Sequence, residues 1–423
     1  MSRKPRQGKD PFVRHRSLLI LTTVLTTGAL TLTACGSRDD KGGDGDKGGK
    51  TKVVIGVDSP TSGDLSALGL GIRNSADLAA KTANKNNTVP GVEFVTQPLD
   101  DQGQPNVGQQ NAAKFISDKD VIGVVGPLNS SVSQSMQKPL NDAKLTQISP
   151  ANTGTELTQG DGWKTGDKKR QFATFFRTAT TDQVQGAFAA KYLKETAKID
   201  QVYLIDDQKT YGAGLAASFK DQFTKLGGKV VGTDHVNPDD RDFNAVVTKV
   251  KSSGAKAVYY GGEYPAAGPL SQQLKDSGNK IPLMGGDGIY SADFLKLNKK
   301  AEGDLATSVG KPVESLDSAK KFIADYKSAG YKEAYEAYGG GTYDAAWSIV
   351  EAVKIAVADN GGKVPSDLRT KVLGAMSKVK FDGVTGPVSY DEFGDTTNTM
   401  MTAYQVEGGA WKPKFSEAYK PQS

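Results

Sequence analysis

From Lys52 onward the chain alternates short β-branched runs with amphipathic stretches, and this rhythm limits the fold more than any other feature. Runs at 53–57, 92–95, 121–125 and 146–148 are separated by helical patterns near 70–84, 104–117 and 131–144. A polar, irregular insert (160–170) follows. The alternation then restarts with strands at 202–205, 229–232, 257–260 and 281–284 and helices at 214–226, 243–253 and up to Ser277. Strand-helix-strand repetition of this kind predicts an α/β fold with parallel sheets flanked by helices. Two such blocks predict two lobes. Open α/β sheets bind ligands at the carboxyl ends of their strands, so a cleft between two facing sets of strand ends is the expected binding site.

The first 50 residues have a different character. Arg3, Lys4, Arg6, Lys9, Arg14 and Arg16 precede an apolar, Thr-rich run at 18–32, too short for a spanning helix. Leu32-Thr33-Ala34-Cys35 then places the only cysteine where a lipoprotein signal is cut and lipidated. Residues 1–34 are therefore expected to be a removable signal peptide, and Cys35 the lipidated N-terminus on the outer face of a bacterial cell membrane. Residues 36–50 contain only glycine, one serine and charges, and residues 35–51 are expected to be a disordered tether. Fifteen such residues have an r.m.s. reach of about 20 Å.

The leader also accounts for the charge. The chain has 53 Lys+Arg against 48 Asp+Glu, a net of +5, and the leader carries six basic residues and one acid, which leaves the remainder near neutral. Nothing in that balance calls for a nucleic-acid partner. With one cysteine, an internal disulfide is impossible. Only His15 and His235 are present, so no histidine triad or histidine metal site can be assembled, and no cofactor is expected. His235 reads as an exposed strand end. Gly69-Leu70-Gly71 is a weak match to a dinucleotide loop, because Asn74 occupies the third glycine position. The pairs Asp100-Asp101, Asp206-Asp207 and Asp239-Asp240 read as ordinary solvated acids at strand ends and turns, which gives no basis for an enzyme.

The strand ends of the first block are more informative. One strand runs into Gly126-Pro127-Leu128-Asn129-Ser130-Ser131, offering backbone N–H groups and hydroxyls at a helix start, which suit a carboxylate. The next runs into Ile148-Ser149-Pro150-Ala151-Asn152-Thr153. The plainer alternative is that Ser130 only caps its helix and Thr153 only begins a turn. In the second block, Gly285-Gly286-Asp287-Gly288 places one carboxylate in a glycine-flanked strand end, facing either a ligand ammonium or water.

These segments resemble a known family, the extracytoplasmic Leu/Ile/Val-type amino-acid-binding proteins of ABC importers. The resemblance spans about Lys52 to Trp411. It rests on Ile55-Gly56-Val57 with Ser62-Gly63, the two segments around Ser130 and Thr153, Phe176-Arg177-Thr178, Tyr211-Gly212, Val258-Tyr259-Tyr260-Gly261-Gly262 and Thr385-Gly386-Pro387. It implies a periplasmic-binding-protein type I fold with a three-segment hinge near 178–181, 309–312 and 400–402. The first lobe would then comprise 52–180 and 311–401, and the second 181–310 and 402–423.

The resemblance also implies roles. Ser130 and Thr153 would hold a ligand α-carboxylate. The Ala151 carbonyl, the Thr153 hydroxyl and Asp287 would hold the α-ammonium, with Tyr211 and Tyr338 beside the ligand. Leu68 replaces an aromatic residue of relatives in the side-chain pocket, and Glu263 stands where they have tyrosine, able to accept a cationic or amide-bearing side chain or to point to solvent. Some relatives carry a first-lobe disulfide where this chain has Asp101 and Asn129. The expectation is a non-enzymatic, monomeric protein that captures an amino acid and presents it to a membrane permease; a sensory lipoprotein, or a binder of a short amide or urea-type solute, is the alternative.

Overall fold

The structure is a computed structural model in which residues 49–420 are described. The leader, Cys35 and the tether as far as residue 48 lie outside the described residues.

Strand β1 (Thr51–Ser59) leads into helix α1 (Ser66–Lys85), followed by β2 (Val92–Asp100), α2 (Pro105–Ser117), β3 (Val121–Val125), α3 (Ser130–Asp142), β4 (Thr146–Ser149), the short α4 (Glu156–Gln159) and β5 (Phe175–Arg177). The five strands form one parallel sheet in the order β2-β1-β3-β4-β5. All five residues of β3 (VIGVV) are buried, as expected for a strand with helices over both faces.

A second series begins with α5 (Asp182–Lys191), then β6 (Gln201–Asp206), α6 (Thr210–Lys225), β7 (Lys229–His235), α7 (Asn244–Ser252), β8 (Ala257–Gly261), α8 (Tyr264–Asp276), β9 (Leu283–Gly285), α9 (Ala292–Leu297) and β10 (Leu305–Val309). These strands are parallel in the order β7-β6-β8-β9-β10. The two sheets thus share one strand order. In each, the chain reverses its winding direction beside the first strand, which opens a crevice at the carboxyl ends of β1 and β3 and of β6 and β8.

The remaining elements were not assigned from sequence. After α10 (Lys320–Ser328), α11 (Gly339–Asp359) packs on α1 and across β3 and β4, and α12 (Leu368–Ala375) packs beside it. A small hairpin, β11 (Phe381–Gly383) and β12 (Gly386–Val388), follows. The chain then re-enters the second sheet as β13 (Met400–Glu407) and β14 (Ala410–Ala418), both antiparallel. Their two-residue loop, Gly408-Gly409, has φ of 61° and 75°, the conformation of a type I′ hairpin turn. The second sheet is therefore mixed, where the strand-helix rhythm implied a purely parallel one.

The chain passes between the sheets after β5, after β10 and before β13. Two of these passages are bonded to each other: Gly310 N donates to Met400 O at 2.7 Å and Thr402 Oγ1 donates to Gly310 O at 2.8 Å. Among the described residues no helix is long and apolar enough to cross a membrane.

Candidate functional site

The turn that leaves β3 is forced by Gly126. Its φ is +107°, and a Cβ there would lie 2.0 Å from the Asp58 carbonyl oxygen, so only glycine fits. The loops after β3 and β4 are tied together by a buried network. Ser149 Oγ donates to Pro127 O at 2.8 Å and accepts from Asn152 N at 2.9 Å, while Asn152 Nδ2 donates to Leu128 O at 2.7 Å. Ser133 Oγ bonds Asn152 Oδ1, and Gln147 Nε2 donates to Ser133 Oγ at 2.9 Å.

Ser130 and Thr153 take no part in this network. Both are buried, and neither hydroxyl has a hydrogen-bond partner among the described residues. The capping alternative for Ser130 fails, because Asn129 is the residue that flanks α3 and Ser130 already lies within the helix. Two buried hydroxyls free to bond something in the cleft are the arrangement that a carboxylate needs.

A residue quoted only as part of a motif braces this loop from behind. Arg177 is fully buried; its Nε donates to Asp395 Oδ1 at 2.6 Å and its Nη1 donates to the Asn152 and Gly154 carbonyls at 3.2 and 2.8 Å. Burial pushes the Asp395 carboxyl up, but the Arg177 charge, with hydrogen bonds from Gln159 and Arg177, outweighs it and holds the group below the usual carboxylate range. Only the fold brings residue 395 next to residue 177.

On the opposite side, Asp287 is buried, so of the two alternatives its strand end offered, facing water is removed. Its Oδ1 accepts from Gln185 Nε2 at 2.9 Å and Tyr211 Oη at 2.8 Å, and its Oδ2 from Tyr338 Oη at 3.1 Å. Gln185 Oε1 accepts in turn from Asp287 N and Thr307 Oγ1, both at 2.9 Å. Burial raises the Asp287 pKa, and the Gln185, Tyr211 and Tyr338 donors counter part of that rise. A carboxylate has about four acceptor positions, so one on Oδ2 is open to a further donor. Gln185 had no signal in the sequence, since an isolated glutamine in a helix has no distinguishing pattern.

Glu263 precedes α8 and reaches across the cleft. Its Oε1 accepts from Asn129 Nδ2, and its Oε2 lies 3.7 Å from Lys209 Nζ. Further inter-lobe contacts are Asp182 N to Thr153 O at 2.6 Å, Thr210 Oγ1 to Gln134 Oε1 at 2.9 Å and the Arg241–Asp64 ion pair at 2.6 Å.

Leu68, Ser130, Ala151, Tyr211, Glu263 and Tyr338 line a single small cavity of about 10 Å³, together with Leu128, Asn129 and Gly288. Six of the eight expected residues therefore meet in one space. Asp287 lies behind it, bonded to the lining residues Tyr211 and Tyr338, and Thr153 is not among the lining residues.

Other expectations are revised. Gly69 and Gly71 lie inside α1, where a Cβ would meet the Pro60 and Tyr335 carbonyl oxygens at 1.9 and 2.7 Å; they permit close packing and do not form a phosphate loop. Of the paired aspartates, Asp101, Asp206 and Asp207 are buried and not solvated, whereas Asp239 and Asp240 are exposed as expected. His235 does end β7 exposed, with Nδ1 2.8 Å from Asp206 Oδ1.

A family model described as "periplasmic binding protein" matches residues 52–410. The chain belongs to that family. It is 31% identical over 360 residues to the Leu/Ile/Val-binding protein homolog 1 of Brucella suis, covering 85% of this chain and 91% of the relative. The structure is similar to a leucine-binding protein from Thermotoga maritima, with 25% identity, TM-score 0.75, and coverage of 86% and 98% of the two chains. It is equally similar to a branched-chain amino acid transporter substrate-binding protein from Streptococcus pneumoniae in complex with isoleucine, with 25% identity, TM-score 0.74, and coverage of 88% and 100%. This family membership fits the fold described above, two α/β lobes with an inter-lobe cavity.

Proposed function

We propose that this periplasmic binding protein captures an amino acid, of the branched-chain class or related to it, in the inter-lobe cavity and delivers it to an ABC import permease. The observation that carries the reading is the asymmetry of the cavity: the unpartnered hydroxyl of Ser130 on one wall, and the Asp287 carboxylate with Tyr211 behind the other. A zwitterion matches both, its carboxylate toward the first and its ammonium toward the second. Two or three charge-assisted hydrogen bonds, each worth about 1.5–3 kcal/mol, supply most of the roughly 8 kcal/mol of micromolar binding. No bond is made or broken.

The first lobe would bind the solute in an open state, with contacts from Tyr211, Glu263 and Asp287 gained on closing, so that their free energy drives closure. The passages near 178–181, 309–312 and 400–402 would act as the hinge between lobes 52–180 with 311–401 and 181–310 with 402–423. Cys35 would carry the lipid that keeps the protein at the outer face of the membrane.

Calorimetry against the twenty amino acids, urea and short amides tests the reading. An amino acid should bind reversibly and be recovered unchanged, with a smaller radius of gyration by X-ray scattering at saturation. Binding of urea or a short amide alone would replace the amino acid by that solute. Labelled palmitate should appear on the protein in cells and be absent from Cys35→Ala.

A further inference from the structure

Outside the inner cavity lies a second space between the lobes, about 770 Å³ counting the part open to solvent, lined by Asp64, Leu65, Gly103, Lys209, Asp239 and Glu263 among others. Glu263 borders both spaces, and its bond to Asn129 is the partition between them.

Two buried acids, one from each lobe, stand close enough to Glu263 to feel its charge. Asp101, after β2, accepts from Gly103 N at 2.7 Å through Oδ1; Asp207, after β6, accepts from Lys209 N at 3.0 Å through Oδ1. The Oδ2 of each is buried without a hydrogen-bond partner among the described residues. Burial lifts both carboxyls to about 7, and the Glu263 charge adds to the rise in each. Asp100 adds further negative charge beside Asp101, as does Asp206 beside Asp207, while burial pushes the neighbouring Asp58 carboxyl well up.

The cations facing this group are few: Lys209, half-exposed, already lies 3.7 Å from Glu263 Oε2, Arg241 is held by Asp64 at 2.6 Å, and His235 sits on Asp206. The Asn129 side-chain oxygen Oδ1 is buried and unpartnered among the described residues, and it lies 3.4 Å from where a Cβ would stand on Gly103, a residue of the chamber wall.

We infer that the bound amino acid has a cationic side chain, whose methylenes lie against Leu68 and Leu128 and whose head group reaches the chamber at Glu263 Oε2 and Asn129 Oδ1. The inference rests on the proposed amino-acid reading and specifies the side chain. An apolar side chain closing over Glu263 would desolvate that carboxylate with only Asn129 Nδ2 and the half-exposed Lys209 to offset the cost, and an amide would satisfy hydrogen bonds without balancing the charge. A cation does both. It also makes ionisation of Asp101 and Asp207 more favourable, so binding near neutral pH releases protons.

Calorimetry with arginine, lysine, glutamine and leucine on the purified protein tests this directly. Arginine or lysine should bind at least about tenfold more tightly than leucine and glutamine, a difference of about 1.4 kcal/mol. In buffers of different ionisation enthalpy, the basic amino acid should release protons near pH 7 and leucine should not. Glu263→Gln should remove the preference for the cation. Leucine or glutamine binding as tightly as arginine, no proton release, or an unchanged preference in Glu263→Gln would each overturn the inference while leaving the amino-acid reading intact. Failure to bind any amino acid would overturn that reading and this inference with it.

Discussion

The two lobes have the same backbone plan and opposite cleft chemistry. Apart from Tyr338, which precedes α11, the candidate site residues of each come from the same three places: the helix after the first strand (Leu68, Tyr211), the junction after the third (Ser130, Glu263) and the loop after the fourth (Ala151 and Thr153, Asp287). The first lobe contributes hydroxyls, apolar surface and the Tyr338 phenol, the second acids and the Tyr211 phenol. On the proposed reading, topology fixes where a ligand would meet the protein, and the side chains at those places fix which end of a zwitterion each lobe would receive.

The lobes also differ in how a buried ion pair is used. Arg177–Asp395 stands directly behind the Ala151–Thr153 loop. Its counterpart in the second lobe, Lys275–Asp304 at 2.7 Å, is buried at the opposite end of the sheet, where Asp304 also accepts from Leu283 N at the start of β9.

The largest expected effect tests that difference. Arg177→Met and Lys275→Met each strand a buried carboxylate and should cost about 3–5 kcal/mol of stability in denaturant unfolding. Only Arg177→Met should also weaken solute binding, because it releases the Asn152 and Gly154 carbonyls; equal loss of affinity in both variants would break the distinction.

Next in size, Asp287→Asn keeps the shape and removes the charge, and should weaken amino-acid binding by about 2–4 kcal/mol. Ser130→Ala in the other lobe should cost less, about 1–2 kcal/mol, since backbone N–H groups still face the carboxylate. Calorimetry on both variants checks the order, and a reversed order would mean that the lobes' roles are exchanged.

The smallest effect is a pH slope. Asp101 and Asp207 titrate at about 7 in the fold against 3.8 for an ordinary aspartate. The folded state therefore holds extra protons between those values, and this contribution to stability, full below 3.8, is lost as pH rises through about 7. Asp395, held low, acts in the opposite sense and loses its contribution only at more acid pH. Melting temperature without solute should fall as pH rises through the window. Asp101→Asn and Asp207→Asn should each flatten the slope, and a slope unchanged in both would remove these residues as its source.

Much of this molecule was legible in its sequence because the signals are local. β-branched runs such as VIGVV and the Gly-Pro-Leu-Asn-Ser turn report the backbone they adopt, so β1 to β4, β6 to β9 and the place of Ser130 could be read directly, while the three-residue β5 carries no such run. The last third of the fold was harder. Helix α11 belongs with the first sheet although it follows β10 of the second, and the Gly408-Gly409 hairpin, a readable turn signal, was passed over.

What the sequence by itself determined was the α/β class, the two blocks, the near-neutral charge beyond the leader and the strand-end positions where a ligand could be met. Those properties depend on residues within a few positions of one another. What only the tertiary structure decided was which distant residues share a buried environment: Arg177 with Asp395, Gln185 with Asp287, Asn129 with Glu263. The same holds for Asp101 and Asp207, ordinary acids by sequence, which become buried carboxylates with raised pKa values because burial, a property of the whole packed chain, sets the cost of their charge.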